Sequence, residues 1–506
     1  MNEGQHIVLI RTPTVLPVTA VTAQHGVPSL ALAYLGAALK RASHRVTYID
    51  SVGERLGQTR SFGEKGLQLS GLLIPEILER IPQDSDIIGV SCLFSNDWIY
   101  ARRILEAIRV SFPRAKLIVG GEHVTGDYET VLSSCPFVSC CVLGEGEQTI
   151  VEVVNSLSST TDLNSVAGVA FLKDGQIVKS APRKRISDPD EIAPPDWESV
   201  PLGRYLDAGL GMAIKGLRTM PMLGSRGCPY RCTFCSAPKM WNAAWKPRRD
   251  IENIVAEAKR YVEKYRVEHL EFYDMSPSID RDWLEKFSEA IGTLGLTWNF
   301  PSGMRSESLS PELLAKMKKS GLYKMTFPIE TTSPHLIKAL KKNTKPEKML
   351  PLVKAAVREG MITKANFIWG VPHQRLRDIL TDCWFLVRLA WAGMHDVTCF
   401  AFVPYPGSEL HDELVRTGKI VKDQDYERFL AFNVYNNPLK MKSWSAHIKD
   451  RHLTYLSFSG MALFYSTQFL FYPSRLPALF KSLWTNKAVT MLELALVGLK
   501  KRVVTA

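Results

Sequence analysis

The run GCPYRCTFC places Cys228, Cys232 and Cys235 on one short stretch, and no other feature restricts the chain as strongly. With nine cysteines in 506 residues, chance would give this spacing in roughly 0.3% of such chains. One loop carrying three thiols can deliver them to three irons of a four-iron cluster and leave the fourth iron open for chemistry. A tetrahedral zinc would take a fourth Cys or His, and none stands between Cys235 and His269. An odd, sparse set of cysteines in a large chain suits a reducing cytoplasm better than a disulfide framework.

On either side of this run, short apolar stretches alternate with helical periodicity. Downstream, Met220 to Leu223 leads into the cysteines, Ile251 to Tyr265 has a helical repeat, and His269 to Tyr273 reads as a strand ending at Asp274. Trp298 to Arg305, Lys324 to Glu330, Thr363 to Gly370 and Val397 to Phe402 follow as strands. The pattern predicts a partial (β/α)6 barrel, whose active site gathers at the carboxyl ends of its strands. Upstream, Ile7 to Ile10, Val46 to Ile49, Ile87 to Val90, Leu117 to Val119 and Val138 to Val142 are β-rich runs between helices such as Leu30 to Lys40 and Trp98 to Val110. This is the α/β pattern of a doubly wound parallel sheet, which binds ligands beyond its strand ends. Those ends are small or hydroxylated: Ser91-Cys92-Leu93, Gly120-Gly121 and Gly144-Glu145-Gly146.

The spacing C-x3-C-x2-C with an aromatic residue, Phe234, before the last cysteine resembles the radical S-adenosylmethionine superfamily. The resemblance implies a 4Fe-4S cluster held by Cys228, Cys232 and Cys235, with the amine and carboxylate of S-adenosylmethionine on the open iron. Electron transfer then splits the sulfonium to a 5′-deoxyadenosyl radical, chemistry that no side chain supplies unaided. MRSESLSPELLAKMKKSG resembles the superfamily's arginine-bearing strand and helix, and PIETTSPHLIKALKKNT its strand-end glutamate. WGVP and YPGSELHDEL resemble its last two strand-end turns. Cosubstrate-binding roles are thereby implied for Phe234, Asp274, Arg305 and Glu330. At WGVPHQRLRD a Gly-Glu pair is commoner than His373-Gln374, so no role is carried to those two.

The fragments GVPSLALAYLGAALKRASHRVTYID, VGGEHVTGDYETVL and VLGEGEQTI resemble the cobalamin-binding fold. This implies bare backbone lying along a nucleotide tail and a corrin edge, with Ser91, Leu93, Gly120, Gly121 and Gly144 in contact. The Asp-x-His-x-x-Gly sequence that supplies a lower histidine to cobalt does not follow the first strand. His123, in GEHVTG after the fourth strand, is expected near the corrin or its tail, or else as an ordinary packed histidine.

These readings divide the chain into a cobalamin-binding Rossmann-like domain (1–155), a linker with a hairpin (156–205), the radical barrel (206–420) and a helical C-terminal region (421–506). From Leu453 to Ser474 there is no charged residue, while Tyr455, Phe458, Phe464, Tyr465, Phe469, Phe471 and Tyr472 crowd the run. Its Ser, Thr, Gln and Tyr content argues against crossing a bilayer. Two readings stay open: a helix lying at a membrane interface beside the basic end GLKKRV, or a buried helix covering the barrel. A net charge of +12 fits an anionic surface or acidic partner. No Arg/Lys tract interleaved with aromatics points to nucleic acid. Cys92, Cys135, Cys140 and Cys141 lack the arrangement expected of the tRNA-modifying methylthiotransferases.

Together the two resemblances imply a cobalamin-dependent radical enzyme that methylates an unactivated carbon, one cosubstrate molecule methylating cobalt and a second furnishing the radical. Ring-closing and ring-contracting enzymes use the same cofactors without methyl transfer, and a cobalamin sensor with a degenerate barrel is a third reading, against which the intact triplet weighs. No single side chain is assigned as catalytic. The expected partners are a small-molecule or lipid-like substrate and a reductant such as flavodoxin or ferredoxin, with the protein cytoplasmic or peripheral at a membrane.

Overall fold

The computed structural model describes residues 4–20, 26–159, 161–212, 216–242, 246–433, 441–485 and 488–505. The first domain is built on seven strands: β1 (His6–Arg11), β2 (Arg45–Asp50), β3 (Ile87–Ser91), β4 (Lys116–Gly120), β5 (Cys140–Val142), β6 (Val169–Lys173) and β7 (Gln176–Lys179). Their order is β7-β6-β5-β4-β3-β1-β2, parallel from β5 to β2. β1 sets Ile7 beside Val46 on one side and beside Ile87 on the other. Chain order reverses between β1 and β3, the switch point at which such sheets open a crevice.

Period-two alternation sends Ile7, Leu9 and Ile118 to one face, under α1 (Leu30–Arg41) and α4 (Gly146–Leu157), which follow the strands at opposite ends of the domain sequence. Val8, Ile10, Val90 and Val119 go to the other, under α2 (Trp98–Ser111) and α3 (Glu122–Ser134). The hairpin within 156–205 does not stand free between domains. β6 pairs antiparallel with β5, setting Ala170 against Cys141, because Val169, Ala170 and Phe171 are apolar enough to bury at the sheet edge.

The second domain has six parallel strands: β8 (Thr219–Met222), β9 (His269–Phe272), β10 (Thr297–Asn299), β11 (Lys324–Glu330), β12 (Ile362–Trp369) and β13 (Asp396–Ala401). They form two triplets, β8-β9-β10 and β11-β12-β13, joined by a bridge between Trp298 and Leu322. The strand expected over Trp298 to Arg305 stops at Asn299. Pro301 has no N–H to give a ladder, and the chain turns, with Gly303 N–H donating to Phe300 O at 3.0 Å and Met304 N–H to Thr326 O at 3.0 Å. Phe272, Phe287, Trp298 and Phe300 pack mainly edge-to-face beneath these strands, each pair adding about 0.5–1.5 kcal/mol beyond its buried area. Outside lie α5 (Ile251–Tyr265), capped by Asp250, and α6 (Leu376–Trp391).

The C-terminal region is helical, as expected. Residues 424–433 return to the first domain, where Ala431 joins the core and Glu427 accepts the Trp98 indole N–H at 3.2 Å. Then come α7 (Asp450–Phe471), α8 (Arg475–Thr485) and α9 (Met491–Thr505). α7 buries Leu453, Ser457, Gly460, Phe464 and Gln468 against α6 and β13, one stripe at helical spacing. At Gly460 a β-carbon would come within 2.6 Å of the Trp369 ring, so glycine is needed for this close packing. One face of α7 thus covers the barrel. Among the described residues no helix is long and apolar enough to cross a membrane. The side chains of GLKKRV beyond Lys500 lie outside the described residues.

Candidate active site

β8 runs through Leu223 and Gly224 into the cysteine loop. Asp274, just past β9, secures that lead-in: its buried carboxylate accepts the Gly224 N–H at 2.8 Å and the Ser225 hydroxyl. Burial outweighs these bonds and pushes the carboxyl up to about 6. Asp274 therefore positions the loop, with both oxygens turned to the chain rather than outward to a cosubstrate.

Cys232 is buried, Cys228 and Cys235 half-buried, and none is in a disulfide. Cys228 Sγ lies 3.1 Å from the Ser276 hydroxyl, and Thr233 N–H donates to Leu340 O at 3.1 Å, tying the loop to the end of the short helix that follows β11. Burial drives the Cys235 thiol up to about 12 and also raises Cys232, which the neighbouring Lys342 and Arg305 cations pull back. These two remain thiols until a metal displaces the proton. Among the described residues no three His, Cys, Asp or Glu side chains converge around one point as a single-ion site does. The three thiols instead line a loop.

Arg305 stacks its guanidinium 3.7 Å from the centre of the Tyr230 ring. It donates to Glu307 and to Lys342 O, both at 2.8 Å, while its Nε is buried without a partner. Glu330 ends β11 at φ +65°, a conformation that costs a residue with a side chain about 1–3 kcal/mol. Its carboxylate receives the Lys342 ammonium at 2.9 Å, both groups buried, and that ammonium sits 5.7 Å from the Phe234 ring. Phe234, Arg305 and Glu330, the first and last of them more than 90 residues apart in the chain, thus meet on the Cys232 side of the loop. Lys342 went unread in the sequence; its signal is the turn KKNT, in which Lys341 and Asn343 both adopt positive φ.

The strand ends of the two domains face each other across one cleft. Ser91, Leu93, Gly120, Gly121 and Gly144 line it from the first domain, and Leu223, Ser225, Gly227, Tyr273 and Met275 from the barrel. It holds a cavity of about 320 Å³, within the range of about 300–1,000 Å³ for small-molecule pockets, and opens widely to solvent at its mouth. From the mouth a slot descends between the sheet and helices α1 and α4, walled by Leu9, Leu32, Gly89, Ile118 and Ile150.

The two adjacent glycines serve different ends. A β-carbon on Gly121, at φ +127°, would fall 2.1 Å from Cys92 O, so the backbone itself excludes a side chain there. On Gly120 it would meet nothing nearer than 3.5 Å, and its absence leaves open space in the cleft wall. His123 is not in that wall. Its ring packs on Trp98 with centroids 5.1 Å apart, Nδ1 is 3.0 Å from the Ser95 hydroxyl, and burial lowers its pKa to about 4. Of its two readings, the packed histidine describes these surroundings, although Nε2 is left without a partner.

Arg226, also unread in the sequence, joins the domains. It precedes the cysteine loop, lies 4.9 Å over the Tyr34 ring, and pairs with Glu147 at 2.7 Å and Glu145 at 3.7 Å at the start of α4. Lys239 adds a bond to Gly126 O at 2.9 Å, and Lys422 pairs with Asp127 at 2.6 Å.

The residues fit the implied groups. Three thiols on one loop, beside an unpartnered guanidinium N–H, a buried ammonium and a carboxylate, suit a cluster with an amino acid bound to it. A broad apolar cleft with a narrow slot suits a flat macrocycle with a tail.

Known proteins agree. The sequence model of the Radical SAM superfamily matches residues 222–383, and that of the B12 binding domain residues 16–154. An uncharacterized methyltransferase, PH0819, from Pyrococcus horikoshii is 27% identical over 80% of this chain and 82% of its own length. Cytidylyl-2-hydroxyethylphosphonate methyltransferase from Streptomyces wedmorensis is 26% identical over 79% and 80%, respectively. The anaerobic magnesium-protoporphyrin IX monomethyl ester cyclase of Cereibacter sphaeroides is 26% identical over 76% of this chain and 60% of its own length. In fold the chain is similar to the radical S-adenosylmethionine methyltransferase TsrM from Kitasatospora setae, solved with cobalamin and a 4Fe-4S cluster (TM-score 0.60, 14% identity, 82% of this chain and 75% of that one). It is likewise similar to the cobalamin-dependent S-adenosylmethionine radical enzyme OxsB (TM-score 0.61, 18% identity, 86% of this chain and 57% of that one). The chain belongs to the radical S-adenosylmethionine enzymes that carry a B12-binding domain, with a 4Fe-4S cluster, S-adenosylmethionine and cobalamin as cofactors.

Proposed function

We propose that this enzyme methylates an unactivated carbon of a small, apolar molecule. The observation that carries the reading is the single cleft onto which both sets of strand ends open: a substrate carbon held there lies within reach of both cofactors. When bound, the cluster with S-adenosylmethionine supplies a carbon radical for hydrogen abstraction, and cobalamin supplies a methyl group.

The chain's own residues hold and shield. Cys228, Cys232 and Cys235 take the cluster, and Asp274 fixes the loop that carries them. Arg305 Nε offers a donor, while Glu330 and Lys342 present opposite charges to the polar ends of the cosubstrate. Leu93, Leu223, Tyr273 and Met275 line the space between with mainly apolar surface.

Coverage supports methyl transfer over ring closure. The two methyltransferase relatives align over 82% and 80% of their own lengths, the cyclase over 60%. Ring closure stays as the second reading because that cyclase also spans both domains. We further infer that a flavodoxin- or ferredoxin-type protein delivers the electron, and that the protein works in the cytoplasm with its C-terminal region against a membrane.

Anaerobic protein reconstituted with iron, sulfide and hydroxocobalamin, then given reductant and methyl-labelled S-adenosylmethionine, tests the reaction. Both 5′-deoxyadenosine and label in the corrinoid fraction are expected. Deoxyadenosine with an unlabelled corrinoid would favour ring closure, and neither product from cluster-loaded protein would overturn both.

A further inference from the structure

We propose that helices α6, α7 and α8 together form a face that lies on an anionic lipid bilayer. The inference deepens the peripheral contact proposed above and is independent of the reaction.

Of the twenty large apolar side chains exposed among the described residues, fifteen lie from Leu376 to Leu499. On α6, a barrel helix, Leu380, Trp384 and Trp391 are each more than half exposed along one stripe, while the opposite stripe is buried. α7 runs beside α6 in the same direction: Gly460 is next to Leu386, and Phe471 lies 6.4 Å from Trp391. The α7 stripe facing away from the barrel carries Tyr455 and Leu470, 71% and 76% exposed. α8 continues with Phe480 and Trp484, 68% and 87% exposed. Concentrated apolar exposure on this scale marks an interaction surface rather than scattered residues. Tryptophan and tyrosine are the side chains that settle at the level of lipid headgroups.

Charge selects the partner. From Leu453 to Thr485 the only charged residues are Arg475, which donates inward to Gly393 O and Met394 O, and Lys481, which is exposed. The two acids of α6, Asp378 and Asp382, are buried and bonded inward, whereas Arg377 is exposed and Lys354 lies 5.6 Å from the Trp391 ring. Arg388 is paired with Glu347 at the edge. A second copy docked by two-fold symmetry would set this basic face against itself. An anionic bilayer complements it. Because no described helix is long and apolar enough to span, the face lies on the surface.

Cutting the chain before Leu453 would strip α7 from Trp369 and Leu386 and leave the α6 stripe in place. Surface substitutions are the cleaner probe. Full-length protein is floated with vesicles of phosphatidylcholine, with and without phosphatidylglycerol, at low and high salt. Binding is expected only with phosphatidylglycerol, weakened by salt, and at least tenfold lower for Trp384→Ser combined with Trp484→Ser at unchanged circular dichroism. If the wild type floats and the double variant floats equally, this face is wrong while the peripheral contact stands. If the wild type does not float, both fall. A solution dimer dissociated by Trp384→Ser would assign the face to a second copy and overturn the proposal.

Discussion

The guanidinium of Arg305 sits over the ring of Tyr230, 3.7 Å from its centre, so the turn that follows β10 grips the loop between the first two cluster cysteines. The same guanidinium reaches Lys342 O at 2.8 Å. The loop, the turn after β10 and the KKNT turn are thereby one unit.

Arg305→Lys keeps the charge but loses the plane and the fork. The variant should load iron normally and form 5′-deoxyadenosine at least tenfold more slowly, with the loss chiefly in affinity for S-adenosylmethionine. An iron assay beside a titration of the cosubstrate, followed by electron paramagnetic resonance, separates the two.

Gly120→Ala and Gly121→Ala should part company. The first has room at 3.5 Å and no positive φ, so its stability should hold or rise by about 0.4–1 kcal/mol, while cobalamin affinity falls tenfold or more. The second collides with Cys92 O at 2.1 Å and should lose about 3 kcal/mol. Thermal melts and visible absorbance of bound corrinoid report each.

Arg226→Met removes the cation that Glu147 faces at 2.7 Å. A half-buried carboxylate without its partner costs about 3 kcal/mol. Looser contact between the domains should show as faster proteolysis and weaker cobalamin binding, with the cluster retained.

Asp382 gives a pH signature away from the site. It accepts Thr332 N–H at 2.6 Å and the Trp369 indole N–H at 2.9 Å, yet burial still raises it to about 6 from 3.8. The folded state therefore holds a proton that the unfolded chain has released between pH 4 and 6. Its contribution to stability is complete below the unfolded pKa and is lost as pH rises through about 6. Relative to Asp382→Asn, the wild type should lose up to about 3 kcal/mol between pH 4 and 6.5, measured by denaturant melts of both proteins across that range.

Local patterns carried the fold. Unbroken apolar runs such as Ile7 to Ile10 are packed on both faces, and that lack of alternation announces a parallel sheet. The cysteine spacing is legible because one loop must present all three ligands. What the sequence hides depends on partners far along the chain. Lys342 matters only because β11 brings Glu330 to it. Arg226 matters only because α4 lies across the cleft. Asp274 reads as an outward strand-end acid until Gly224 and Ser225 are seen to claim it. His123 sits in a plausible frame, but it packs on the Trp98 ring and meets the Ser95 hydroxyl instead.

The return of residues 424–433 to the first domain bears on how the protein is made. Ala431 completes that domain's core, and Glu427 meets Trp98 across 329 residues of chain. When the nascent first domain leaves the ribosome, part of its apolar surface must therefore wait, bare, for the barrel to be translated. The two domains mature as one cooperative body, and the interval before closure is when a chaperone or the cobalamin itself has most to protect.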